Sequence, residues 1–163
     1  MNITKEDQIN LLLINANNLC KESLLNEFKN LHIAEYSYSS QEAVEELGLD
    51  KALVHDLVED YVAQVIKSIV LFLEHIKVLK TAQKENQILD YKSLRELAHK
   101  NLGVAKNLRI KDGEKLLYEL IKKDDLVYLA LCVNLLEACA IKLKPICAYN
   151  TVTMIQIKKN ICK

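Results

Sequence analysis

Apolar residues recur at intervals of three and four along most of this 163-residue chain, the spacing that gathers side chains on one face of a helix. The first stripe runs Ile9, Leu12, Leu13, Ala16, Leu19, Cys20, Leu24, Phe28 and Leu31, and Thr4 stands where an N-cap belongs, so the pattern predicts a helix from Thr4 to Leu31. Tyr36-Ser37-Tyr38-Ser39-Ser40 interrupts the period, and Ser40 can cap a short helix ending near Gly48. Asp50 caps the longest helix, whose inner side reads Leu53, Leu57, Tyr61, Val65, Ile69, Phe72 and Ile76. Gln87 to Asp90 forms a loop, and Asp90 caps a helix with a stripe at Leu94, Leu97, Ala98, Ala105 and Leu108. Asp112-Gly113 introduces a helix from Glu114 to Lys122; Lys123-Asp124-Asp125 separates it from a last long helix, Leu126 to Leu143. Pro145 ends the pattern. Tyr149 to Ile157 is rich in β-branched residues, which suits a strand, an irregular tail or a short helix.

Long stripes, short connections, three glycines and one proline predict an all-α chain, an antiparallel four-helix bundle of up-down-up-down order. The chain divides into an N-terminal helical extension over 1–36, the bundle over 37–143 and a C-terminal tail over 144–163. Twenty-two basic and 22 acidic residues cancel, and no Lys/Arg cluster stands out, which argues against a nucleic-acid face. No apolar run approaches the ~20 residues of a membrane span. The charged stretch from Met1 to Asp7 lacks the apolar core of a signal peptide. The expectation is a cytoplasmic protein with no membrane partner. Five cysteines lack any C-x-x-C spacing, so no structural metal is expected, and Cys132 and Cys139 read as small core residues.

The chemistry concentrates at His99. The apolar stripe of its helix leaves His99 facing solvent, with Gly103 one turn later on the same side. A glycine inside a helix costs about 0.5–1 kcal/mol relative to alanine, so its position beside an exposed histidine implies close approach by a partner. Neutral imidazole is nucleophilic near pH 7. His32, His55 and His75 fall in amphipathic helices without an acid or cysteine at ligand spacing, and read as structural or solvated.

Ala98-His99-Lys100-Asn101-Leu102-Gly103, followed by Asn107-Leu108-Arg109-Ile110, resembles the phosphorylation-site helix of histidine-containing phosphotransfer (HPt) domains, which read His-x-x-Lys-Gly. Glu42 to Asp50 and the long helix after it are similar to the family's approach to that motif, and the likeness spans roughly residues 40–143. The resemblance implies a two-component phosphorelay carrier. His99 would be the phosphoacceptor, attacking through Nε2, and Arg95, Leu102, Gly103 and Lys106 would meet the receiver. It also implies no cofactor of the chain's own, magnesium on the partner receiver, and a response-regulator receiver or hybrid histidine kinase as partner. Two positions depart from the family: Leu102 stands for the usual lysine, and Asn101 for an apolar residue facing the bundle interior. Leu102 as an exposed apolar contact motivates a rival, a degenerate module that docks a receiver without carrying phosphate; a purely structural helical protein is the third reading. An unsatisfied buried amide costs about 1–3 kcal/mol, so Asn101 is expected to find a backbone or water partner, or to distort its helix. The N-terminal stripe would forfeit about 1.5–3 kcal/mol for each large side chain left in water. It is expected to pack on the bundle side away from His99, or against a second copy of the chain, leaving monomer and homodimer open.

Overall fold

The computed structural model describes residues 2–161, and among them the chain is all-helical, with no strand. Helix α1 (Lys5–Glu22) begins with a capping box in which the Thr4 hydroxyl accepts from the Asp7 amide and the Asp7 carboxylate from the Thr4 amide. It stops well short of Leu31. Ser23 turns its hydroxyl onto the Cys20 carbonyl, and the chain continues through two 3-10 turns, Ser23–Leu25 and Lys29–Leu31. A serine that bonds its own preceding turn competes with helix continuation, so Leu24 swings out to solvent while Phe28 and Ile33 re-enter the core.

Helix α2 (Gln41–Leu47) ends at Gly48, whose left-handed backbone (φ 66°) returns its amide to Val44. Asp50 caps α3 (Lys51–Lys84) by accepting from the Leu53 amide. Along α3 Tyr61, Val65, Ile69, Phe72 and Ile76 are buried, whereas Leu53, in the first turn, remains exposed. Helix α4 (Lys92–Leu108) starts after Asp90, which accepts from the Lys92 amide. Helix α5 spans Lys111–Lys122. Asp112 and Gly113 thus lie inside its first turn, because the Asp112 carboxylate accepts from the Gly113 amide and Ile110 takes the cap position. Helix α6 (Leu126–Leu143) is capped by Asp125, which accepts from Val127 and Tyr128.

The C-terminal segment forms α7 (Pro145–Ile161), one continuous 17-residue helix. β-Branched residues there lower helix propensity only slightly, and Ala148 and Thr151 recover it by burial. Pro145 opens this helix instead of merely closing the previous one, since the first helical position needs no amide donor. Cys162 lies outside the described residues.

Helices α3, α4, α5 and α6 pack in a ring, each against the next, with α6 closing on α3. Helix α1 lies on α6 and α7, and α7 on α3 and α6. Buried apolar residues from Ala16 to Ala148 form one cluster, to which α1 gives Ala16 and Cys20, and α7 gives Ala148. Helix α6 is long and apolar enough by composition to cross a bilayer; here α1, α3, α5 and α7 cover it, and Leu129, Cys132, Val133 and Leu136 are wholly inside. Cys20, Cys132 and Cys139 are free and buried.

Candidate functional site

Helix α4 is rotationally fixed by what it buries. Leu94, Ala98, Ala105 and Leu108 are at most 3% exposed, and a polar core contact fixes the rotation further. Asn101, fully buried, donates from Nδ2 to Ser68 Oγ (3.0 Å) and to the Leu97 carbonyl (2.9 Å), while its Oδ1 accepts from Gln64 Nε2 (3.0 Å). Both amide ends are therefore satisfied by α3 and the preceding turn, and α4 runs unbroken through the position. A serine at core spacing on α3 and an asparagine at core spacing on α4 were each visible in the sequence; only the packing pairs them.

With that face inward, His99 and Gly103 are exposed. Carboxylates face two histidines of the fold, Glu35 at His32 (3.6 Å) and Glu59 at His55 (3.0 Å); among the described residues the His99 ring has no such neighbour. The acids at i+3 of His32 and i+4 of His55 correct the expectation that these histidines have no carboxylate at hand, and His32 closes a 3-10 turn with a left-handed backbone (φ 55°) instead of lying in a helix. A Cβ added at Gly103 would meet no atom within 4 Å. Nothing inside the fold requires a glycine there.

The remaining residues expected at the site separate. Leu102 does not share the exposed face: it is 6% exposed. It lies four residues after Ala98 and three before Ala105, which aligns it with the buried stripe more closely than with His99. Arg95 is half-buried and turned away, its guanidinium over the Tyr91 ring (4.8 Å) and near the Lys123 carbonyl (3.4 Å). Tyr91 in turn donates to the Asp124 carbonyl (2.8 Å), so Arg95 belongs to the α5–α6 connection. Lys106 is exposed, two turns beyond His99. Where α4 ends, Arg109 takes a left-handed backbone (φ 61°) and pairs with Glu42 and Glu46 of α2. Tyr36 and Tyr38 donate to the Arg109 and Leu108 carbonyls (3.1 and 2.8 Å).

The exposed side of α4 thus offers an imidazole, a bare backbone patch at Gly103 and the cations Lys100 and Lys106, on a helix oriented by its buried face. No trio of His, Cys, Asp or Glu suited to a metal ion occurs among the described residues. Comparisons with family models, with curated proteins and with solved structures find no match to the chain.

Proposed function

We propose that the protein is a histidine phosphotransfer carrier, in which His99 accepts a phosphoryl group from the phosphoaspartate of a receiver domain and passes it to another. One observation carries this reading: an exposed imidazole, without a carboxylate partner among the described residues, lies one turn from a mid-helix glycine that the interior does not need. That glycine costs the helix about 0.5–1 kcal/mol without any internal return. Access from outside supplies the reason for it. The ring of α3 to α6 is on this reading an antiparallel four-helix bundle of HPt type, with α4 presenting one face to the partner.

Phosphoryl transfer depends chiefly on positioning and electrostatics, so the carrier needs a nucleophile and a matching surface. The Nε2 lone pair of His99 attacks phosphorus; the bond from phosphorus to the aspartyl oxygen breaks, and the carboxylate leaves with the electron pair. The proton on Nδ1 stays with the ring, which carries the positive charge that balances the new phosphoramidate. Magnesium and a cation on the receiver would supply the charge that neutralises the transferring group. With Leu102 in the core and Arg95 engaged elsewhere, this chain's own docking contacts reduce to Gly103 and Lys106. The same burial of Leu102 removes the apolar docking contact that motivated a binding-only module.

Titrating an unphosphorylated receiver domain onto the isotope-labelled protein tests the docking half of this reading by NMR. Perturbed amides centred on His99, Gly103 and Lys106 support it; a footprint on α1 and α7 contradicts it.

A further inference from the structure

Where α4 stops, a cleft of about 750 Å³ opens between the 36–40 connection, the first turn of α3, Asp112 of α5 and the last turn of α6. Its volume is that of a small-molecule site. No α4 residue lines it, and His99 lies nine residues before Leu108, about 14 Å along the helix.

The cleft has an excess of positive charge. Lys51, Lys142 and Lys144 line it, and among the described residues none has a carboxylate within 4 Å. Lys144 is held in place: its ammonium donates to His55 Nδ1 (2.6 Å), and His55 Nε2 faces Glu59 Oε1 (3.0 Å). Lys51 and Ala52 belong to the first turn of α3, Asp112 to the first turn of α5, and Lys144 immediately precedes α7. The ends of α4 and α6 also reach the cleft, and Asp50 and Asp112 occupy the starts of α3 and α5, so its positive character rests on the three ammoniums.

The rest of the lining is selective in another way. Tyr36 and Tyr38 form a wall fixed by their hydroxyls: Tyr36 donates to the Arg109 carbonyl and accepts from the Lys111 amide (3.0 Å), and Tyr38 donates to Leu108. Val58 and Leu143 supply apolar surface. Asp112 is the one carboxyl in the lining among the described residues. Burial pushes its pKa above the usual carboxylate range, although the Gly113 amide, the Cys139 thiol and Lys142 pull the other way.

We infer that this cleft binds a small organic phosphate monoester. The dianionic phosphate sits on the Lys51, Lys142 and Lys144 rim, an aromatic or apolar body lies against Tyr36 and Tyr38, and a hydrogen-bond donor on that body reaches Asp112. A single carboxylate would leave the rim under-neutralised, whereas a phosphate offers two charges and several acceptor oxygens. The inference is independent of phosphotransfer at His99.

The isotope-labelled full chain is titrated, with NMR detection, with para-aminophenyl phosphate, phenyl phosphate, para-aminophenol and inorganic phosphate. The expected result is saturable binding of para-aminophenyl phosphate, with perturbed amides at Lys51, Ala52, Asp112 and Lys144. Removing the phosphate (para-aminophenol) or the body (inorganic phosphate) should weaken binding at least about tenfold, and removing the amino group (phenyl phosphate) by a smaller factor. The Lys51→Ala/Lys144→Ala variant should lose about tenfold or more in affinity, its thermal midpoint serving as the check on folding. Probe selectivity in the unaltered protein keeps the test independent of that variant. Binding of para-aminophenol as tight as that of the phosphate, perturbations outside the cleft, or no saturable binding by any probe would overturn the inference.

Discussion

Asn101 of α4 donates its side-chain amide to Ser68 of α3 across 3.0 Å inside the apolar core. This contact, with Gln64 on the other end of the amide, fixes the rotation of α4 and hence the outward aim of His99. Asn101→Leu keeps the branched shape, with slightly bulkier methyls, but leaves the Ser68 hydroxyl and the Gln64 amide without this partner. It should cost about 1–3 kcal/mol in urea unfolding. Pairing it with Ser68→Ala should recover part of that loss, because removing both polar partners is cheaper than orphaning one. Equal stability of the single and double variants would contradict the role given to the pair.

Two glycines in neighbouring helices should respond to alanine with opposite signs. Gly103 has open space where a Cβ would go, so Gly103→Ala should stabilise the fold by about 0.5–1 kcal/mol, read as a raised thermal midpoint. The same methyl should slow phosphoryl acceptance by intruding on the docking face. At Gly113 a Cβ would collide with the hydroxyl of Tyr61, a rigid buried ring. Gly113→Ala should destabilise by about 1–3 kcal/mol.

The helical character of the chain was legible because amphipathic periodicity is local, and caps at Thr4 and Asp50 announce themselves in sequence. What depended on tertiary contacts was not. Leu102 could be assigned outward from its distance to His99, yet its distances to Ala98 and Ala105 put it inside. The break after Glu22 turns on a hydroxyl bonding the turn before it, an event that apolar spacing does not register. The helix at Pro145–Ile161 has weak propensity and forms against α3 and α6, so its signal lies in partners distant in sequence. The exposure of His99 was readable from spacing alone. The cleft beneath Tyr36 and Tyr38 was not, since it assembles from four separate stretches.

The N-terminal segment should matter for stability and not for His99. Phe28 is 2% exposed and stacks on Tyr128 of α6, ring centroids 4.7 Å apart. Phe28→Ala should cost about 3–5 kcal/mol in chemical unfolding. Helix α1 lies on α6 and α7, away from α4, so phosphoryl acceptance measured below the unfolding transition should be unchanged. A faster rate would instead show that this segment shields His99.

Stability should decline in alkali. Burial pushes the Tyr36 hydroxyl from 10.0 up to about 12 and the Cys132 thiol from 9.0 up to about 12. Both groups hold their protons more tightly folded than unfolded, so their contribution is complete below the unfolded values and disappears as pH rises through the folded ones. The thermal midpoint, followed by circular dichroism, should stay level up to about pH 9 and fall progressively toward pH 12. Tyr36→Phe and Cys132→Ala should each flatten the fall. A midpoint that stays level across that window would refute the assignment.

The most direct measurement is transfer itself. Receiver domains from the same organism, phosphorylated with labelled phosphate on their aspartates, are mixed with the full chain, and the label is followed onto it and back to fresh receiver. Acid-labile, alkali-stable phosphate is expected on His99 of the unaltered protein and none on His99→Gln of equal stability. Label that persists on His99→Gln, or a chain that no cognate receiver labels, would contradict phosphotransfer through His99.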